Sequence, residues 1–207
     1  MPVAPYRSDE KRESLLRAAT DLLHEQGFAT TTLADVAGRA NVPLGNVYYY
    51  YKTKDALAHA VIDAHLSALK ERFTSWNDGI AEPHERLRRY IVAPLDTSDR
   101  IAQFGCPHGS LCQELEKLGR RAPLARAAAR LLTAYIEWVS QQFLAMGESP
   151  AEARARASDL VAAVQGTMLV AHTLRSRDVL SAQLKRLANT LPRSARSASV
   201  HQVRSRA

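Results

Sequence analysis

Residues 44–54 of this 207-residue chain concentrate groups that can recognise phosphates and base edges. The amide of Asn46 can donate and accept at once, the arrangement that pairs bidentately with adenine. Tyr48, Tyr49 and Tyr50 offer hydroxyls to phosphate oxygens and rings to sugars or thymine methyls. Gly45 would let the backbone come close to a partner, and Lys54 carries a charge suited to phosphate. A second concentration lies at Cys106, His108 and Cys112, where the available chemistry is that of a thiol. A thiol at a helix N-terminus is more easily ionised and so more nucleophilic. The alternative is that both cysteines are buried as small apolar groups in a glycine turn that opens a helix. The spacing Cys-x-His-x3-Cys has no fourth partner at a usual zinc interval. No carboxylate pair, phosphate-cradling glycine loop or Ser-His-Asp set accompanies it. No metal, no cofactor and no catalysis are therefore expected.

The elements around residues 44–54 determine what those groups can reach. Leu33, Val36, Ala37 and Ala40 repeat at the spacing of one buried helical stripe. Thr32 precedes that stripe and Asp35 follows three residues on, an N-cap with an acidic first turn. The cap alone, or the cap with a phosphate contact, would account for Thr32. The run 41–43, Asn-Val-Pro, breaks the helix, and Pro43 can open another to about Tyr51. Val47 and Tyr51 face inward on it, because four consecutive tyrosines cannot share one face. Two short helices joined by such a turn describe a helix-turn-helix, whose second helix enters the DNA major groove.

The order Thr32, an Ala-rich helix, then Gly45-Asn46-Val47-Tyr48-Tyr49-Tyr50-Tyr51-Lys52-Thr53-Lys54-Asp55-Ala56-Leu57 resembles the tetracycline-repressor (TetR) family of bacterial transcription regulators. The resemblance implies an all-α chain: an N-terminal three-helix helix-turn-helix domain, then a helical effector-binding and dimerisation domain. It implies contacts to double-stranded DNA from Thr32, Leu44, Gly45, Asn46, Tyr48, Tyr49, Tyr50 and Lys54. Two positions depart from the family's pattern. Pro43 stands where a Ser or Thr commonly touches the backbone. Leu44 stands where a polar reader is common, leaving it a thymine-methyl contact. The segment Gly105-Cys106-Pro107-His108-Gly109-Ser110-Leu111 is similar to a Gly-Cys-x-x-Gly-Ser/Asn-Leu segment found beside the ligand cavity in a subset of such regulators. The side chains expected around a small-molecule effector are Phe104, Cys106, His108, Leu111, Tyr135, Trp138, Gln165, Met168 and His172. For the last three, interior packing is the alternative.

Composition sets the outer limits. Hydrophobic residues make up 46% of the chain, ample for a core. No apolar run approaches a membrane span and the N-terminus has no apolar signal segment, which points to a cytoplasmic protein without a membrane partner. Two cysteines make no disulfide framework. The net charge of +7 is unevenly placed: residues 1–60 hold seven basic and seven acidic side chains, and residues 192–207 add four arginines. DNA binding must then come from local placement of Lys52 and Lys54 rather than from overall charge.

The remaining pattern is helical, with no strand period and no internal repeat. Residues 1–8 are expected to be a disordered arm, 9–57 the DNA-binding domain, 58–191 the effector and dimerisation domain, and 192–207 a disordered basic tail. Helices are predicted over 9–26, closed by Gly27 with Phe28 packing back, and over 55–76, with Leu57, Val61, Ala64 and Ala68 inward. Others are predicted over 83–95, 122–146, 150–175 and 178–191, with 97–110 irregular. Ser149, Pro150 and Glu152 form a clear helix start. Leu180, Leu184, Leu187 and Leu191 make one seam, and Ala162, Ala163, Gly166 and Ala171 a small-residue face. These would pack on the protomer's own core or on a second copy. The resemblance favours the copy, with Ala163, Gly166, Leu180, Leu184 and Leu187 at the interface.

Two recognition helices would then read a near-palindromic operator. The implied protein is a homodimeric regulator, usually a repressor, released by a small molecule. A thiol-based redox or electrophile sensor acting through Cys106 is the alternative, and a small-molecule enzyme on a helical scaffold is the third class.

Overall fold

A computed structural model describes residues 6–117 and 122–191, and within them the chain is all-α. The disordered arm expected at 1–8 falls for residues 1–5, and the basic tail expected at 192–207 wholly, outside the described residues. Two compact units emerge. Among the described residues, the first combines 6–68 with 106–117 and 122–131; the second combines 69–105 with 132–191.

The first unit begins with α1 (Tyr6–Glu25), which starts three residues before the predicted position. Leu15, Ala18, Ala19, Leu22 and Leu23 form its buried face. Gly27, at φ +84, turns the chain into the single turn α2 (Gly27–Thr30). Phe28 is buried there, as the sequence implied. Helices α3 (Leu33–Arg39) and α4 (Leu44–Tyr50) follow. The long helix α5 (Lys54–Gly79) buries Leu57, Ala58, Val61 and Ile62 in its first half. Ala68, expected inward, is exposed, and Leu69 is buried in its place. The helix α8 (Pro107–Lys117) packs on α1 and α2. Full burial of each large apolar side chain in this core contributes roughly 1.5–3 kcal/mol.

The second unit contains α6 (Pro83–Val92) and α7 (Ser98–Phe104), joined by a 3-10 stretch over Ala93–Thr97. Pro94 explains why the helix predicted to 95 tightens early, since proline donates no amide and crowds the preceding turn. The stretch 97–110, predicted irregular, is helical except at Gly105–Cys106. Its glycines and prolines mark helix ends: Gly105, at φ +82, closes α7, and Pro107 opens α8. Then come α9 (Ala122–Ala145), α10 (Pro150–Thr173) and α11 (Arg177–Thr190). The predicted helix start at Ser149 is a complete capping box with Glu152. Helix α11 packs on α6, α7 and α10.

Candidate nucleic-acid interface

The exposed surface around α4 is set by how α3 begins and ends. The Thr32 hydroxyl accepts from the Asp35 N–H at 3.1 Å, and Asp35 Oδ2 accepts from the Thr32 N–H at 2.8 Å. These bonds to Thr32, the hydroxyl first and then the backbone amide, hold the Asp35 carboxyl below its ordinary value. Arg39 pairs with Glu25 of α1 at 2.9 Å. Asn41 ends the helix at φ +53, a left-handed conformation that its short polar side chain tolerates. Pro43, as N-cap, starts α4.

Two side chains anchor α4: Val47 is fully buried and Tyr51 is 5% exposed. The opposite face keeps bulky apolar groups in water. Leu44 is 40% exposed, Tyr48 52% and Tyr49 76%. Gly45 is exposed, and a Cβ there would meet nothing within 4 Å. Asn46 and Tyr50 are half-buried, and Tyr50 meets Tyr49 edge-on with ring centroids 4.9 Å apart. A seven-residue helix anchored on one side and lined with Leu44, Tyr48 and Tyr49 on the other suits a groove that takes α-helices.

Two side chains expected at phosphates, Lys54 and Thr32, have partners within the protein. The Lys54 ammonium donates to the carbonyls of Phe28 at 2.7 Å, Ala29 at 3.1 Å and Thr31 at 2.7 Å. It also lies 4.5 Å from the Phe28 ring centroid. An ammonium has three donors, and here all three are used inward rather than toward a phosphate. The Thr32 hydroxyl donates its proton to Asp35 Oδ2 at 2.8 Å, so the cap accounts for this residue. Lys52 is the exposed lysine beside α4.

The side chains expected around an effector fall into both units. In the first, Cys106 is the residue before α8, and its Sγ accepts from the Gly109 N–H at 3.3 Å. His108 is 8% exposed and its Nε2 lies 3.2 Å from His65 Nδ1. Burial, with the charge of His24 second, lowers the His65 pKa to about 4. Leu111 is core. The Cys112 thiol donates to Ala128 O at 3.1 Å, and burial foremost pushes its pKa up to about 11. That is a packed, poorly nucleophilic thiol.

In the second unit Trp138 and Tyr135 join Phe73, Trp76 and Tyr90 in one aromatic cluster. Phe73 stacks on Trp138 at 4.7 Å and meets Tyr135 edge-on at 5.7 Å. Trp138 Nε1 donates to Asn77 Oδ1 at 3.2 Å. Met168 is 5% exposed, while Phe104, Gln165 and His172 are half-buried. His172 Nδ1 lies 3.3 Å from the Ala102 carbonyl. A groove of about 470 Å³ in this unit is lined by Asp99, Ala102, Gln103 and residues 175–178, and none of the nine expected side chains lines it. Its wall is polar, with Arg177 paired to Asp99 at 2.6 Å.

The leucine seam is corrected in the same unit. Leu180 and Leu184 are both 0% exposed within one protomer, so they pack on their own core and offer nothing to a copy. Leu187 is half-buried. The apolar surface left in water lies on α10, where Ala162, Ala163 and Gly166 are exposed, with Leu169 at 53%, Val170 at 48% and Leu174 beyond it at 61%.

Phe73, Trp76 and Tyr90 of the aromatic cluster, and Glu114 and His65, lie outside the residues that the sequence marks as functional. The Phe73–Trp76 spacing on a helix was the available signal for the cluster. Glu114 and His65 gave none, since their partners lie 86 and 43 residues away.

Residues 15–61 match the model of the tetR family of bacterial regulatory proteins. Residues 81–186 match that of the C-terminal domain of LmrA/YxaF-like transcriptional regulators. The chain is 27% identical over 178 residues to the HTH-type transcriptional repressor DhaR of Mycobacterium sp. (strain GP1), covering 82% of this chain and 86% of DhaR. It is 29% identical over 107 residues to the repressor NemR of Escherichia coli (strain K12), about half of each chain at 51% and 50%. The crystal structure of reduced E. coli NemR superimposes with a TM-score of 0.74 and 25% identity, covering 89% of this chain and 99% of that one. A TetR regulator from Legionella pneumophila has the same fold, with a TM-score of 0.76 and 17% identity over 93% of this chain and 100% of that one.

Proposed function

We propose, for a chain that belongs to the tetR family of bacterial regulatory proteins, a homodimeric repressor that holds operator DNA through α4 and releases it when a small molecule binds. The observation that carries this reading is the outward face of α4, where Leu44, Tyr48 and Tyr49 remain exposed while Val47 and Tyr51 are buried. Such a face is costly in water unless it has a partner.

In the groove, Asn46 would read a base edge and Leu44 a thymine methyl, while the tyrosines and Lys52 would reach sugars and phosphates. Residues 9–57 serve this reading, and 58–191 carry effector binding and dimerisation. Two copies of α4 must sit about 34–36 Å apart to enter successive major grooves of a near-palindromic site. An effector that favours another setting of α5 lowers DNA affinity, and by linkage binds the DNA-free form more tightly. The exposed stripe Ala162, Ala163, Gly166, Leu169 and Val170 supports dimerisation, because small residues let two helices approach closely.

Binding to duplex DNA from upstream of the protein's own gene, measured across salt concentrations, tests the assignment. Asn46→Ala should cost about 1–3 kcal/mol at one base position and relax specificity there. Wild-type protein with no sequence preference at any salt concentration would refute it.

A second reading, sensing of thiol-reactive compounds, is favoured by one feature. Cys106, within a Gly-Cys-x-x-Gly-Ser-Leu segment, stands at the start of α8 with its Sγ against an amide. If it holds, Cys106→Ser keeps DNA binding but no longer responds to electrophiles. Cys112→Ser should respond as wild type.

A further inference from the structure

Helix α2 is a single turn of four residues. Closing a first helical turn fixes several dihedrals for one hydrogen bond, so such a turn has no stability of its own. Its N-cap, Gln26, supplies no side-chain cap. The cap comes instead from α8. Glu114 Oε2 accepts from the Phe28 N–H and Oε1 from the Ala29 N–H, each at 2.6 Å. At the other end Lys54 of α5 takes the Phe28, Ala29 and Thr31 carbonyls. An anion thus meets the positive end of the turn and a cation the negative end.

Gly27 makes room for the carboxylate: a Cβ there would stand 2.8 Å from Glu114 Oε2. The turn leads without slack into the DNA-reading helices. The Thr31 N–H and hydroxyl both donate to Gly27 O, at 3.3 and 2.7 Å, and the next residue is Thr32, the N-cap of α3. About two turns before Glu114, α8 begins at Pro107 with Cys106 just ahead of it, and His108 in its first turn meets His65 of α5.

We propose that Glu114 is a positioning residue for DNA recognition: its carboxylate holds α2, and through it α3 and α4, in register with α8. A displacement of α8 withdraws the cap, loosens α2 and changes how α4 is presented. The inference rests on the DNA-binding reading above and adds to it the contact through which α8 acts.

The test combines amide hydrogen exchange with affinity for the upstream duplex and for a randomised duplex pool. Glu114→Gln keeps the side chain's size but sets an NH2 against one of the two amides. In this variant the Phe28 and Ala29 amides should exchange about tenfold faster or more, with α10 and α11 protected as in wild type. DNA affinity should fall about tenfold, the scale of a lost hydrogen bond to a charged group. Glu114→Asp, which keeps both acceptors, should recover part of that affinity. In unmutated protein, DNA should slow exchange at Phe28 and Ala29. If Glu114→Gln matches wild type in exchange at these amides or in affinity, the inference is overturned while the DNA-binding reading stands. The same holds if DNA leaves those amides unchanged in wild type. Wild-type protein that binds no duplex overturns both.

Discussion

Lys54 shows how one side chain changes role once its neighbours are known. Beside a helix that reads DNA, a lysine is expected to meet phosphate, yet its ammonium closes the C-terminal end of α2. Lys54→Met keeps the stem and strands three carbonyls. Chemical denaturation should show a loss of about 1–3 kcal/mol. A phosphate ligand would behave otherwise, leaving stability alone and reducing the salt slope of DNA binding by about one. His65 makes a second prediction. Its folded pKa is lowered to about 4, chiefly by burial, from 6.5. As pH falls below 6.5 the unfolded chain takes up a proton that the folded one refuses, so stability declines from there to about pH 4. The decline should be on the order of 3 kcal/mol. His65→Leu should flatten that part of a Tm-versus-pH profile. An unchanged profile would show that other groups carry the acid sensitivity.

At the scale of elements, local signals placed the helix starts well. Thr32 with Asp35 and Ser149 with Glu152 both form capping boxes, because a cap involves residues three apart and needs no distant partner. Both carboxyls are held below their ordinary values, first by the cap hydroxyl and then by the cap amide. The ionised forms are therefore favoured in the folded state. Their contribution is present above the ordinary carboxylate range and is lost as pH falls through the lowered values. Relative to the intrinsic exchange rate at each pH, the amides in the first turns of α3 and α10 should lose protection on acidification before the global transition, and Asp35→Ala should show the weaker α3 protection already at neutral pH. Equal exchange in Asp35→Ala and wild type would remove the cap from the account. Interior helix faces were harder to read. Ala68 lies outward and Leu69 inward on α5, because a long helix that packs on different neighbours along its length need not keep one stripe.

For the whole molecule, burial within the protomer decides which surface is left for a copy. Leu180 and Leu184 are used internally, so Leu184→Glu should unfold the chain rather than dissociate a dimer. Gly166 offers the cleaner variant, because a Cβ there meets nothing within 4 Å and the residue sits among exposed apolar side chains of α10. Gly166→Leu should leave circular dichroism and Tm near wild type yet shift sedimentation toward the monomer and weaken operator binding. A variant that stays fully dimeric would move the interface elsewhere.

What the sequence determined by itself is whatever depends on near neighbours. The capped helix at Thr32, the break before Pro43, the inward Val47 and Tyr51, the glycine turn ahead of Phe28 and the all-α class all follow from spacings within a few residues. The family was legible for the same reason, since its motif is one continuous run. Tertiary structure decided what depends on contacts between distant residues. It gave Lys54 its carbonyls, paired His108 with His65, brought Glu114 to amides 86 residues away, and placed Leu180 and Leu184 in the core. An apolar seam looks the same in sequence whether it faces its own chain or a copy. A charged side chain likewise looks free until the fold supplies its partner.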